Sequence, residues 1–261
     1  MSDPRRLQRR QLLWQGLVGA GVLAAGPTLL RAGSPPSVDL AGARLVGAMA
    51  APPIVSRAEW GADESLRRGT RDFAPITRAI VHHTVTANAE PDPAARVRAI
   101  HEFHVVGNRW ADIGYNFLVD AAGRIYEGRS AGTGPPFGED GAGHGVIGAH
   151  ADGHNTGTVG IAVLGTYTGA GAVPTQAALD AVAAVVAWKF GNRGIEPRGA
   201  GSLISHRDVV ATGCPGEGLH RQLPQLRERS AARIAAASRP AGDDDGGIIE
   251  QVLDAVGGLL G

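Results

Sequence analysis

His206 and Cys214 stand eight residues apart across "RDVVATG", and Cys214 is the only cysteine among 261 residues. A single cysteine forms no intramolecular disulfide. Imidazole and thiolate are the usual protein ligands of zinc, and a turn of this length can bring both to one point. The same pair suits a Cys–His nucleophile, in which the imidazole activates the thiol. An inert buried thiol is the third reading, and spacing alone leaves all three open. His82 and His83 end a short β-branched run, "RAIVHHTV". Adjacent strand residues point to opposite faces, so at most one of them serves a site on a given side. A strand-end histidine added to His206 and Cys214 makes a three-ligand zinc site with one position open. His101 and His104, in "HEFH", are three apart and near one helix face. They are a second candidate pair, although zincin helices space their histidines by four.

The elements that must position these residues come in mixed order. Ser56 and Glu59 form a capping-box pattern that predicts a short helical turn. The run "RAIVHHTV" predicts a strand over 78–85. Val97, Ile100, Phe103 and His104 recur at helical spacing, which predicts a helix over 93–106. "YNFLVD" and "RIYEG" flank a glycine turn and predict a hairpin. "TVGIAVLG" is apolar enough for a central strand buried on both faces. Thr175 is placed to cap a long helix over 175–192. "SLIS" predicts a strand ending at His206, and a last helix follows over about 219–237. The expected fold is α/β: a single mixed β-sheet flanked by helices. Residues 128–147 are a long Gly/Pro loop, a length that in compact domains is functional or mobile.

Formal net charge is zero, so no overall field favours nucleic acid or an anionic membrane. The 39 glycines and 16 prolines fit a loop-rich domain. Residues 1–50 differ from the rest: a basic start is followed by an apolar run from Leu12 to about Leu30. That is the layout of an export signal. Arg9-Arg10 followed by Gln11, Leu12 and Leu13 resembles a twin-arginine signal. An uncleaved anchor helix is the alternative, near the lower length limit for a bilayer span. Residues 51–55 then read as linker, 56–238 as the domain, and 239–261 as an acidic linker with a short amphipathic tail. In an oxidising compartment an unpaired cysteine is either buried or held by something.

Several segments in order, "SRAEWGA", "IVHHTV", "IHEFH", "RWADIGYNFLVDAAGRIYEGR", "GAHADGHNTGTVGIAVLG" and "SHRDVVATGCPG", resemble peptidoglycan recognition proteins and the zinc-dependent N-acetylmuramoyl-L-alanine amidases. The resemblance covers roughly residues 54–230. It implies a zinc in a surface groove, one per chain, held by His82, His206 and Cys214. It implies catalytic roles for Tyr115, in "DIGYNF", and for Thr212. It places His83, Thr84, His104, His150 and Asn155 along the groove that holds substrate, and it leaves His101 without a role. The implied activity is hydrolysis of the amide between N-acetylmuramic acid and L-alanine by an exported monomer. The implied partner is peptidoglycan or muropeptides, with no nucleic acid and no membrane span in the mature form. A non-catalytic peptidoglycan-binding module is the alternative. The 128–147 loop departs from the pattern, which leaves stem-peptide preference open.

Overall fold

The computed structural model describes residues 49–132, 137–169 and 171–239. Residues 1–48 of the expected export segment and 240–261 of the expected tail lie outside the described residues. The strands are β1 (Ile54–Val55), β2 (Phe73–Ala74), β3 (Arg78–His83), β4 (Phe117–Val119), β5 (Ile125–Glu127), β6 (Gly145–Val146), β7 (Thr158–Val163) and β8 (Leu203–Ser205). The helices are α1 (Arg57–Trp60), α2 (Pro93–Glu102), α3 (Gln176–Gly191), α4 (Glu217–His220) and α5 (Leu223–Ala237). Six strands form one sheet in the order β1-β5-β4-β7-β3-β8. Its β4–β5 pair is antiparallel and the other neighbours are parallel, so the sheet is mixed. β2 and β6 form a separate antiparallel ribbon.

Helices cover both faces of this sheet, which is why β7 is buried along its whole length. On one face Val81, Val119, Ile161 and Val163 pack with Leu179, Val182 and Val186 of α3 and Leu226 of α5. On the other, Leu118 and Ala162 pack with Val97 and Ile100 of α2 and Trp60 of α1. α3 is apolar nearly all round because it lies inside the first of these layers. Thr175 starts it, its hydroxyl accepting the Ala178 N–H at 3.1 Å. The Ser56–Glu59 box caps α1 in both directions.

Four expectations change. Ile54 and Val55, read as linker, form β1 and pair with Ile125 and Tyr126. Two residues are too few to show a strand period in sequence. The helix expected over 93–106 is α-helical to Glu102 and then widens into a π turn over Phe103–Gly107. The last helix is two, α4 and α5, with Pro224 at the start of the second. The 128–147 loop is not free of structure. Its β6 pairs with β2, and the buried Lys189 ammonium of α3 holds the Phe137 carbonyl, at 2.8 Å, and the Glu139 carboxylate.

Candidate metal centre

β3 and β8 are parallel neighbours with Val81 opposite Ser205. Their C-terminal ends therefore emerge together, carrying His82 and His206 to one edge of the sheet. Alternation turns His82 towards the α2 face, as it does Ile80. His206 opens a single 3₁₀ turn, His206–Asp208. Asp208 Oδ2 secures that turn by accepting the Ser205 N–H at 2.8 Å and the Ser205 hydroxyl at 2.9 Å. The chain then folds back. Arg207 N–H donates to the Cys214 carbonyl at 3.0 Å, and the Arg207 guanidinium donates to Gly213 O and Glu217 Oε2, each at 3.0 Å. The Thr212 hydroxyl accepts the Cys214 N–H at 3.2 Å. This closed turn sets Cys214 beside His206.

One nitrogen each from His82 and His206 and the Cys214 sulfur lie within 4.8 Å of one another. Cys214 Sγ is 3.7 Å from His82 Nδ1, and the His82 and His206 ring centroids are 4.5 Å apart. Two imidazoles and a thiol at these separations suit a small ion that takes N and S donors and keeps an open position, as zinc does. Burial holds the pKa of His82 well below the ordinary histidine value, and the neighbouring histidines push it further. Burial also lowers His206. Both shifts favour the neutral imidazoles that metal ligation requires. The Cys214 thiol is pushed up to about 11 by burial, against a smaller downward pull from the His83 backbone and Arg207.

Behind His82 lies a second layer. His82 Nε2 is 3.0 Å from His150 Nδ1, and His150 Nε2 is 3.3 Å from the Thr158 hydroxyl. That hydroxyl donates to the carbonyls of His154 and Asn155, each at 2.9 Å. Asn155 Oδ1 accepts the N–H groups of His150, at 2.7 Å, and Ala151, at 2.9 Å. His150 and Asn155, expected along the groove, pack behind His82 in this hydrogen-bonded layer. His150 is buried and its pKa is pushed down to about 3, by burial first and then by His206 and Arg129. His83, also expected along the groove, points to the opposite face of the sheet. Strand alternation turns its ring to the α3 face, where Nδ1 accepts the Tyr167 N–H at 3.1 Å. Thr84 is half-buried, and its hydroxyl accepts the Gly165 N–H at 3.1 Å.

On the other side of His82, the Tyr115 ring lies near both His82 and His104, with centroids 5.4 and 5.5 Å away. Burial raises the Tyr115 phenol above its ordinary value, and Cys214 adds to the rise. His104 Nδ1 accepts the Gly114 N–H at 3.0 Å, and its ring lies 4.7 Å from that of Trp110. Burial, aided by Arg129, lowers the His104 pKa to about 4. The π turn separates the "HEFH" pair: His104 packs beside Trp110 and Tyr115, while His101 Nε2 lies 3.2 Å from Asp112 Oδ1. Sequence reasoning does not single out Arg129. Its guanidinium donates to the carbonyls of Ile113, at 2.9 Å, and Asp112, at 3.1 Å, while its backbone N–H donates to Tyr115 O at 2.7 Å. These bonds fix the segment that carries Tyr115. An arginine followed by a glycine-rich loop carries no sequence signal for such a clamp.

The site is thus a mixed sheet with helices on both faces, with two imidazoles and a thiol gathered at the C-terminal ends of its strands. The family model described as N-acetylmuramoyl-L-alanine amidase matches residues 72–217, and the chain belongs to that family, which includes the peptidoglycan recognition proteins. It is 34% identical to the human N-acetylmuramoyl-L-alanine amidase over 176 residues, 64% of this chain and 27% of that protein. The chain thus spans about a quarter of the human protein's length. It is 32% identical to peptidoglycan-recognition protein LB of Drosophila melanogaster over 174 residues, 65% of this chain and 67% of that one. Among solved structures it is similar to peptidoglycan recognition protein-LE in complex with tracheal cytotoxin, a monomeric diaminopimelic acid-type peptidoglycan. The TM-score is 0.55 at 27% identity, over 66% of this chain and 92% of that one. No described helix is long and apolar enough to cross a membrane.

Proposed function

We propose that this protein hydrolyses the amide bond between N-acetylmuramic acid and L-alanine in peptidoglycan, with one zinc ion held by His82, His206 and Cys214. The convergence of these three donors within 4.8 Å, beside Tyr115, carries the reading. The muropeptide held by the solved relative supports the same ligand class for this chain. Bound zinc supplies Lewis acidity, which polarises the scissile carbonyl and makes water nucleophilic near neutral pH.

The chain's own groups do the rest. Cys214 is a protonated thiol when left to its surroundings, since burial raises it to about 11 and the adjacent imidazoles are neutral. That environment disfavours a free thiolate nucleophile, which needs a neighbouring cation, and suits a thiol that would release its proton to solvent as a metal binds. Burial favours the protonated Tyr115 phenol, which would donate towards the carbonyl oxygen as negative charge develops there. A donor of this kind is worth about 3–4 kcal/mol in comparable sites. Thr212 accepts from Cys214 N–H and keeps its own hydroxyl proton for the substrate. His104 accepts at Nδ1, so its proton sits on Nε2 as a neutral donor for a saccharide or peptide carbonyl. The N-terminal arginine-rich, apolar segment would serve as the export signal that a cell-wall substrate requires.

Purified protein incubated with peptidoglycan should release stem peptides with a free L-alanine amino group and leave glycan strands intact, as read by mass spectrometry. Binding to peptidoglycan without release would make the domain a recognition module. Activity that survives metal removal and is lost to iodoacetamide would make it a Cys–His hydrolase.

A further inference from the structure

His82 has two ring nitrogens with different tasks. Nδ1 faces Cys214 Sγ at 3.7 Å, and Nε2 faces His150 Nδ1 at 3.0 Å. A neutral imidazole carries one proton, and the nitrogen that binds a metal must lack it. The partner at Nε2 therefore decides whether Nδ1 is usable. His150 Nδ1 can accept only if the His150 proton sits on Nε2. There it meets the Thr158 hydroxyl, 3.3 Å away, which passes its own hydrogen to backbone carbonyls that can only accept. Every link then has one direction: His82 donates to His150, His150 to Thr158, and Thr158 to the main chain.

The seat of the His150 ring is built to fit. Gly160 lies on β7, next to β3, and a Cβ there would stand 2.3 Å from His150 Cδ2 and 2.4 Å from Cγ. A Cβ at Gly148 would stand 2.6 Å from the same Cδ2. Only glycine at both positions lets the ring lie against the sheet. Asn155 fixes the main chain at His150 from the other side.

We infer that His150 is a positioning residue, which holds His82 as the Nε2-protonated tautomer through a one-way hydrogen-bond chain ending at Thr158 and so presents Nδ1 to the metal. The metal half of this statement rests on the proposed function; the tautomer half does not. Such partners of a ligating histidine typically change metal affinity about 10–100-fold when removed.

Two readouts test it on the purified chain. The first is ¹⁵N NMR of histidine-labelled, zinc-free protein, expected to show His82 protonated on Nε2 alone. The second is zinc affinity by competition with a chromogenic chelator. His150→Leu removes the acceptor and should weaken zinc binding about 10–100-fold. His150→Asn keeps an acceptor oxygen at the place of Nδ1, one bond from Cγ, and should restore affinity to within about threefold of wild type. Thr158→Val should move affinity in the same direction as His150→Leu but less, and it keeps the test alive if the leucine variant fails to fold. Wild-type affinity in His150→Leu, equal weakening in the leucine and asparagine variants, or a proton on His82 Nδ1 would each overturn the inference. If the wild type binds no zinc while His82 still carries its proton on Nε2, the metal reading falls and the orientation by His150 stands.

Discussion

Gly160→Ala adds one methyl group to the middle of the sheet, and its cost can be worked from the seat of His150. The new Cβ would stand 2.3, 2.4 and 2.7 Å from three atoms of the His150 ring. Ordinary carbon contacts begin about 1 Å further out, so the ring must move by roughly that distance. It cannot do so while keeping its bonds of 3.0 Å to His82 and 3.3 Å to Thr158. Overpacking typically costs about 1–3 kcal/mol, and losing a buried hydrogen bond adds about 1 kcal/mol. We expect a loss of about 2–4 kcal/mol, a drop in Tm of roughly 5–15 °C for a domain of this size. The same substitution in a His150→Ala background meets no ring and should cost under about 0.5 kcal/mol. The assay is urea denaturation of the four proteins of this double-mutant cycle, with chelator present so that metal binding does not enter the stability. Equal cost of Gly160→Ala in both backgrounds would refute the packing argument.

Other predictions concern the frame. Asp112 is buried, with Arg57, Arg67 and His101 nitrogens at 3.1–3.2 Å, and Asp112→Asn should destabilise by about 3–5 kcal/mol at pH 7. Burial raises the Asp112 pKa, but the bond from His101 and the charge of Arg57 outweigh it and leave the value lowered. The stabilisation is therefore present above the ordinary aspartate pKa and is lost as pH falls below about 4 through the folded value. The asparagine variant should lack that part of the acid dependence in melts at pH 2–6. Thr175→Ala removes the cap of α3 and should cost about 1 kcal/mol by urea denaturation. Val85 is 65% exposed with φ +57°, a costly conformation for a β-branched residue. Val85→Gly should raise stability by about 1 kcal/mol and Tm by about 2–4 °C, read by differential scanning calorimetry.

How much of this is legible in the sequence depends on whether a residue acts through local spacing or through distant packing. The closed turn between His206 and Cys214 is local, and its turn-permissive residues announce it. The burial of both faces of β7 shows in its continuous apolar run. The opposed directions of His82 and His83 follow from strand periodicity, although the choice of His82 as the proposed ligand comes from the resemblance and not from the period. The role of His150 is of another kind. It depends on Gly148 and Gly160 leaving a slot and on Thr158 lying across it, a contact between two strands and a loop. No single window of sequence contains all of it. Likewise the π turn after Glu102 breaks the face that "HEFH" spacing implies, and only its packing shows where His101 and His104 go.

His82, His206 and Cys214 are proposed to form one zinc centre that runs amide hydrolysis. Titrating zinc into metal-free protein while following stem-peptide release tests it most directly. Activity is expected to rise linearly and saturate at one zinc per chain, with Cys214→Ser and His206→Ala folded but inactive at the same zinc level. Full activity without zinc, or an unchanged titration in the Cys214→Ser protein, would contradict it.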